Sequence, residues 1–246
     1  MELLDNLFKW RPAAEITPKN DWGSFQVENK QLDKKIGIKI QTITPDQIEN
    51  AIGFLTQWFL QLEPSSRAAG ILEDEISTQI WQGVWLKTFE QGASIIAVTD
   101  EETPTIVGAL ALCVVSKADD LKEELPGEAV MRQKTLLGAF DEKIDKYKIY
   151  DTEYFIQDWG LCTNPEWQRC GIATQLLSKI PQIGQHYKVP AALLIFTSKK
   201  SQSLALKAGF KEYASVAYDD IKDETGKVIL QVPGNESAKL MGLKIF

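Results

Sequence analysis

The chain has 246 residues, 44% of them hydrophobic and 25% charged, with a formal net charge of −7. That is enough apolar material for one sizeable core. The acidity argues against general nucleic-acid binding, which needs a basic face for phosphates, and no run of the roughly eighteen apolar residues a membrane span requires is present.

Residues 1–10 lack a basic stretch followed by an apolar one, so no secretory signal is read and a cytoplasmic location is expected. Cys113, Cys162 and Cys170 cannot all pair and have no metal-ligand spacing, so free thiols and no metal are expected. Residues 1–34 are broken by Pro12, Pro18 and Gly23 and read as an irregular arm, with Trp10 and Trp22 as anchors, laid over a domain of residues 35–246. Residues 35–40 alternate strictly and predict a first strand. Thr44-Pro45-Asp46-Gln47 opens a helix, with Thr44 as N-cap and Gln47 closing a capping box. Its apolar stripe, Ile48, Ile52, Leu55, Phe59 and Leu62, runs until Pro64 stops it.

A second helix over residues 73–90 places Ile76, Ile80, Val84 and Phe89 on one stripe. Residues 93–98 and 106–115 are two apolar runs around a polar turn, an antiparallel hairpin. An acidic loop over residues 117–127 leads to a third helix, 130–147. The second half reads as a strand at 154–162, a helix at 171–187 that Pro181 could kink, a buried strand at 191–196 and a helix at 201–208 ended by Gly209. Residues 210–218, 228–232 and 240–246 complete the strands. The fold class is α/β (α+β), a mixed central sheet of about seven strands flanked by helices, with a ligand expected beyond the C-terminal end of a central strand.

Chemistry concentrates in Leu161-Cys162-Thr163-Asn164-Pro165-Glu166-Trp167-Gln168-Arg169-Cys170-Gly171-Ile172-Ala173. A strand runs into a short loop, and Gln168-x-x-Gly171-x-Ala173 opens a helix whose first amides have no intrahelical acceptor. A diphosphate there meets free N–H groups and the positive end of the helix dipole. In so acidic a chain such backbone donors, with Arg169 as one mobile cation, matter more than a field of lysines. The same six residues can also be no more than a tight strand–helix connection.

This segment resembles the CoA-binding signature of the GNAT acetyltransferases, Q/R-x-x-G-x-G/A, preceded here by Pro165 and Trp167, and the order of elements is similar to theirs from residue 36 to 246. Within that superfamily the chain resembles the insect arylalkylamine N-acetyltransferase group. Glu63-Pro64 stands where that group carries a Glu-Pro pair. Phe196-Thr197-Ser198-Lys199-Lys200-Ser201, ahead of Lys207-Ala208-Gly209-Phe210, is similar to its hydroxyl-bearing turn, and the stretch 218–227 to its tyrosine- and acid-containing tail.

The resemblance implies an acetyl-CoA-dependent N-acetyltransferase acting on a small primary amine by direct attack in a ternary complex, without a metal, and as a monomer or weak dimer. Glu63 is then the general base, assisted by Thr197 and Ser201, and Leu161, Cys162, Thr163, Gln168, Arg169, Cys170, Gly171, Ile172 and Ala173 hold the acetyl-CoA. A base is needed because a primary amine is protonated near neutral pH and must lose a proton before it attacks the thioester. Alternatives are an aliphatic polyamine acceptor, a longer acyl-CoA, or a silent acyl-CoA-binding protein. Glu63 can also be an exposed residue before a helix-ending proline, and Ser201 an N-cap. One departure stands out. Many GNAT enzymes carry a tyrosine four residues before the glycine of the Gly-Phe pair, to protonate the leaving thiolate, and here that position is Ala205. Ser201 or water is left for the task. Without a histidine partner, Cys162 and Cys170 are poor nucleophile candidates, and His186, the one histidine, reads as a surface residue.

Overall fold

The computed structural model describes residue 4, residues 7–119 and residues 125–246. Its strands are β1 (Asp21–Asn29), β2 (Lys34–Thr42), β3 (Ile95–Thr99), β4 (Ile106–Ser116), β5 (Tyr154–Thr163), β6 (Ala191–Phe196), β7 (Lys211–Ala217) and β8 (Ser237–Lys244). They form one eight-stranded sheet in the order β1-β2-β3-β4-β5-β6-β8-β7. Neighbours run antiparallel except β5 and β6, which are parallel and ladder-paired only at Ile156 and Ala192. Beyond that pair the facing backbone edges of the two strands are not partners for each other, and the sheet opens there.

The helices are α1 (Ile48–Phe54), a π-helical turn (Leu55–Phe59), α2 (Leu60–Leu62), α3 (Pro64–Ala69), α4 (Glu75–Phe89), α5 (Glu128–Lys143), α6 (Lys146–Ile149), α7 (Ile172–Leu177), α8 (Ile180–Tyr187) and α9 (Lys199–Lys207). They cover both faces, and the strand periodicity sorts the core accordingly. Ile36, Ile38 and Ile40, alternate residues of β2, all enter the layer under α7, α8 and α9, where Leu176, Ile183 and Ala205 also lie. Ala109, Ala111 and Cys113 of β4 enter the other layer with Trp85, Val130 and Phe140, under α1 to α5. β4 is buried on both sides, which is why it reads as an unbroken apolar run.

Several expectations are corrected. The segment expected to be irregular contains β1, which pairs with β2 over Ser24–Lys39 to Asn29–Lys34 and makes the eighth strand. Its alternation went unread because Trp22 and Val27 are the buried hydrophobic residues of β1, amid mostly exposed neighbours. Pro64 does not simply stop a helix. Glu63 leaves the helical conformation (φ −70°, ψ 123°), and Pro64 opens α3 from the first helical position, which its fixed φ suits. Residues 171–187 make two short helices rather than one kinked one, with Pro181 in the first turn of α8, where its missing N–H costs nothing. The third helix ends at Lys143, before the single turn of α6. Residues 228–232 form no strand, only an isolated bridge from Val228 to Lys222. Part of the acidic loop, residues 120–124, lies outside the described residues.

Candidate active site

Glu63 sits between α2 and α3 as the N-cap of α3. Its Oε1 accepts from the Ser65 amide (2.9 Å) and the Thr197 hydroxyl (2.5 Å). Its Oε2 accepts from the Ser65 hydroxyl (2.7 Å) and the Ser66 amide (2.6 Å). A carboxylate has about four lone-pair sites, so all of its capacity is engaged. A further layer holds the serines: Gln133 Nε2 donates to Ser65 Oγ (3.2 Å) and Ser66 Oγ (3.0 Å), while its Oε1 accepts the Trp81 indole N–H (2.8 Å). Sequence reasoning missed Ser65 and Gln133. Ser65 follows Pro64 directly and had a local signal, since amides and hydroxyls in a first helical turn face an N-cap carboxylate, whereas Gln133 lies on another helix.

Thr197 follows β6 and thus joins the far side of the open strand pair to Glu63. Tyr218 donates its hydroxyl to the Thr197 carbonyl (2.6 Å), and burial together with the Glu63 charge pushes the Tyr218 phenol far up. Ser201 is placed elsewhere. Ser198 is the N-cap of α9, and Ser201 closes the capping box from the third position, with its hydroxyl near Ser198 N (3.2 Å) and Ser198 O (3.0 Å). No hydrogen bond joins Ser201 to Glu63 among the described residues. Ala205 is fully buried on the inner face of α9.

The open edge of β5 carries a feature the sequence did not reveal. Leu110 pairs with Leu161 and Leu112 with Asp158, so β5 spends one more residue than β4 between those pairs. This is a bulge, and Gly160 within it adopts φ +137°. A Cβ there would stand 3.0 Å from the Phe59 ring. Asp158, half-buried at the bottom of the opening, lies in reach of the Gly160 and Ile195 amides. Burial, and secondarily the charge of Glu63, raises its carboxyl to about 7 against the restraint of those amides. Leu161 and Cys162 continue the strand past the bulge, and the Thr163 hydroxyl is buried without a hydrogen-bond partner.

The loop after β5 begins with a 3₁₀ turn, Pro165–Trp167, capped by the Asn164 side chain on the Glu166 amide (3.0 Å). Trp167 is buried, and Asn29 of β1 donates to the Glu166 carbonyl (2.8 Å). Gln168 is extended, Arg169 takes φ +65°, and Gly171, the N-cap of α7, takes φ +79°. A Cβ on Gly171 would meet nothing within 4 Å. Its glycine therefore serves a left-handed conformation, with open space beside Gly171 at the start of α7. Cys170 stands half-exposed in this loop.

Burial raises all three thiols, Cys162 to about 12. None is a ready nucleophile near neutral pH. His186 meets the Thr17 carbonyl (3.0 Å) and packs edge-on against Trp22, away from Glu63. Among the described residues no group of three or more His, Cys, Asp or Glu side chains could hold a metal, and no helix is long and apolar enough to cross a membrane. An apolar cavity lined by Leu7, Trp81, Leu125, Val130 and Trp159 adjoins Gln133 and so approaches the Glu63 network.

A mixed sheet that opens between two parallel strands, one of them bulged at the opening, with helices on both faces, is the GNAT fold. Arylalkylamine N-acetyltransferase 7 of the mosquito Aedes aegypti matches at a TM-score of 0.87 and 20% identity, over 97% of this chain and 100% of its own. Arylalkylamine N-acetyltransferase 2 of the same mosquito gives 0.77 and 22%, over 85% and 99%. The Drosophila melanogaster polyamine N-acetyltransferase, which forms N-acetylagmatine, gives 0.71 and 16%, over 84% and 99%. At these identities the likeness is one of fold. No family model and no curated protein sequence matches the chain.

Proposed function

We propose that the protein transfers an acetyl group from acetyl-CoA to the nitrogen of a small primary amine. The observation that carries this reading is Glu63, a carboxylate held by four donors, one of them Thr197 immediately after the far strand β6. Neighbours of the same fold are acetyltransferases of arylalkylamines and of agmatine, and the site chemistry suits such cationic acceptors. A silent acyl-CoA binder has no use for a carboxylate held in this way.

In this mechanism the diphosphate of acetyl-CoA lies on the loop 168–173, on the amides of Gly171, Ile172 and Ala173, with Arg169 and Gln168 beside it. The pantetheine arm enters the opening between β5 and β6, past Thr163, Cys162 and Leu161. The bulge amides around Gly160 are the donors for the thioester oxygen as it gains charge. The amine approaches from the α1–α5 face, where Trp81 and Trp159 wall the apolar cavity. Because Glu63 is saturated with donors, the Thr197 hydroxyl is the natural relay: it takes the amine proton as it passes its own to Glu63 Oε1.

Glu63→Gln retains size but cannot accept a proton. The expected result is a kcat loss on the order of 10² with little change in acetyl-CoA affinity, measured by calorimetric titration. The deficit should narrow as pH rises and more amine arrives deprotonated. The assay is acetyl-CoA consumption across aryl, indole, aliphatic and polyamine acceptors. Undiminished kcat in Glu63→Gln sinks the role of Glu63; a wild-type chain that binds acetyl-CoA yet acetylates none of the panel returns the silent binder.

A further inference from the structure

We propose that Asp158 is the acid that gives a proton to the leaving CoA thiolate, the role left vacant at Ala205. This rests on the acetyltransferase reading above.

Three geometric observations converge on Asp158. Its backbone pairs with Leu112, whose side chain belongs to the layer under α7, α8 and α9. Residues directly opposite in a ladder share a face, so the carboxyl points to the face where Ala205 is buried. Asp158 also stands two residues past Ile156, where the β5–β6 ladder ends, and reaches amides on both strands, Gly160 and Ile195. It therefore lies at the base of the opening into which a thioester must be threaded. Finally, Glu63 approaches from the other face, held by α3 and, through Ser65 and Ser66, by Gln133 of α5. A thioester in the opening has an acid on its sulfur side and a base on its amine side.

The charge environment fits the task. The charge that raises the Asp158 carboxyl is that of Glu63, from the α2–α3 junction, against the Ile195 amide of β6, and the charge of Asp158 in turn adds to burial in raising the Cys113 thiol of β4. Burial, and secondarily the Glu63 charge, raises the carboxyl to about 7, so that near neutral pH a large share of it holds the proton an acid must give. A buried carboxyl whose proton is held more tightly than usual is suited to the acid role.

The protons balance. The substrate ammonium gives its first proton through Thr197 and Glu63 to solvent. The free amine forms the N–C bond to the thioester carbonyl carbon. As the carbonyl re-forms, the C–S bond breaks with its electron pair on sulfur, and Asp158 protonates that sulfur. The nitrogen loses its second proton to Glu63, which returns it to Asp158 through water. The products are the amide, free CoA and one solvent proton.

Asp158→Asn is nearly isosteric and cannot donate an acidic proton. With the amine that wild type turns over best, kcat at pH 7 should fall at least tenfold, and the acetyl-CoA dissociation constant should stay within about twofold. The wild-type kcat should decline on the alkaline side as Asp158 ionises, and the variant should lack that decline. Asp158→Glu, an acid of different reach, should recover part of the loss. Wild-type kcat and an unaltered pH profile in Asp158→Asn overturn the proposal and leave the acetyltransferase reading standing. A kcat loss with the alkaline decline retained assigns Asp158 a structural role and also overturns it. A folded wild type that binds acetyl-CoA and acetylates no amine overturns both.

Discussion

A carboxyl that binds its proton more tightly folded than unfolded makes stability depend on pH, and the sign for Asp158 can be worked out. Its pKa rises from 3.8 unfolded to about 7 folded. Below about pH 4 both states hold the proton. Between the two values only the folded state holds it, so stability falls as pH rises, and above about 7 the full cost persists. Asp158→Asn should therefore match wild type near pH 4 and exceed it by on the order of 2–4 kcal/mol at pH 8. Urea unfolding of both proteins across that range checks this, and an offset that does not change with pH refutes it. The same contrast explains what was legible one residue at a time. Glu63 and Thr197, which the structure joins by a hydrogen bond, each sit in a recognisable local pattern, a helix-ending Glu-Pro and a hydroxyl-rich turn. Asp158 does not. A single acid in an alternating strand reads as a solvated position, and no local signal says that its strand loses its partner there. Ser201 was expected beside Glu63 and instead closes the capping box of α9 behind the N-cap Ser198.

At the scale of elements, the site depends on where regular structure is interrupted. The bulge in β5 adds one residue opposite β4 between Asp158 and Leu161, and Gly160 lies within it against the Phe59 ring. Residues 154–162 read as an uninterrupted strand because a bulge changes pairing, not the apolar pattern; Gly160 was the one cue. Gly160→Ala should cost about 2–4 kcal/mol, from backbone strain at φ +137° and from crowding against Phe59 at 3.0 Å. It should also weaken acetyl-CoA binding by displacing the bulge amides. A variant with wild-type unfolding free energy and wild-type affinity would show that the bulge is incidental. The other interruptions lie in the helices. Glu63 is available because the chain leaves α2 and restarts as α3, and the break between α7 and α8 puts Pro181 where a proline is tolerated. Both breaks were signalled by prolines, and in both the proline begins a helix rather than ending one.

At the scale of the whole molecule, the N-terminal segment belongs to the wall of the cavity beside the candidate site. Leu4, Leu7 and Phe8 are buried in the core layer under α1 to α5, and Phe8 meets Trp159 edge-on at 5.8 Å between ring centroids. Leu7 also lines the apolar cavity beside Gln133. Two sequence tryptophans do act as anchors, Trp10 against Tyr187 and Trp22 through its indole on the Thr42 hydroxyl at 2.8 Å. The seat of the segment was invisible in sequence because it is made by Gln91, a polar residue just after α4. Buried Gln91 donates to the carbonyls of Phe8 (3.1 Å), Trp10 (3.2 Å) and Val114 (3.1 Å) and accepts from the Val114 amide (2.7 Å). One side chain thus ties the N-terminal segment to β4, across nearly the full span of the sequence between them. Gln91→Ala removes that tie and leaves buried backbone groups without partners, each worth about 1–3 kcal/mol. The unfolding free energy should fall by about that amount, and limited proteolysis should cut within residues 7–12 sooner than in wild type. The loop 168–173 is unconnected to this tie, so acetyl-CoA affinity should hold, while the KM for the amine should rise as the cavity wall loosens. Unchanged proteolysis together with unchanged amine KM would mean that Phe8 and its neighbours hold the segment without Gln91, and that the cavity wall does not depend on it.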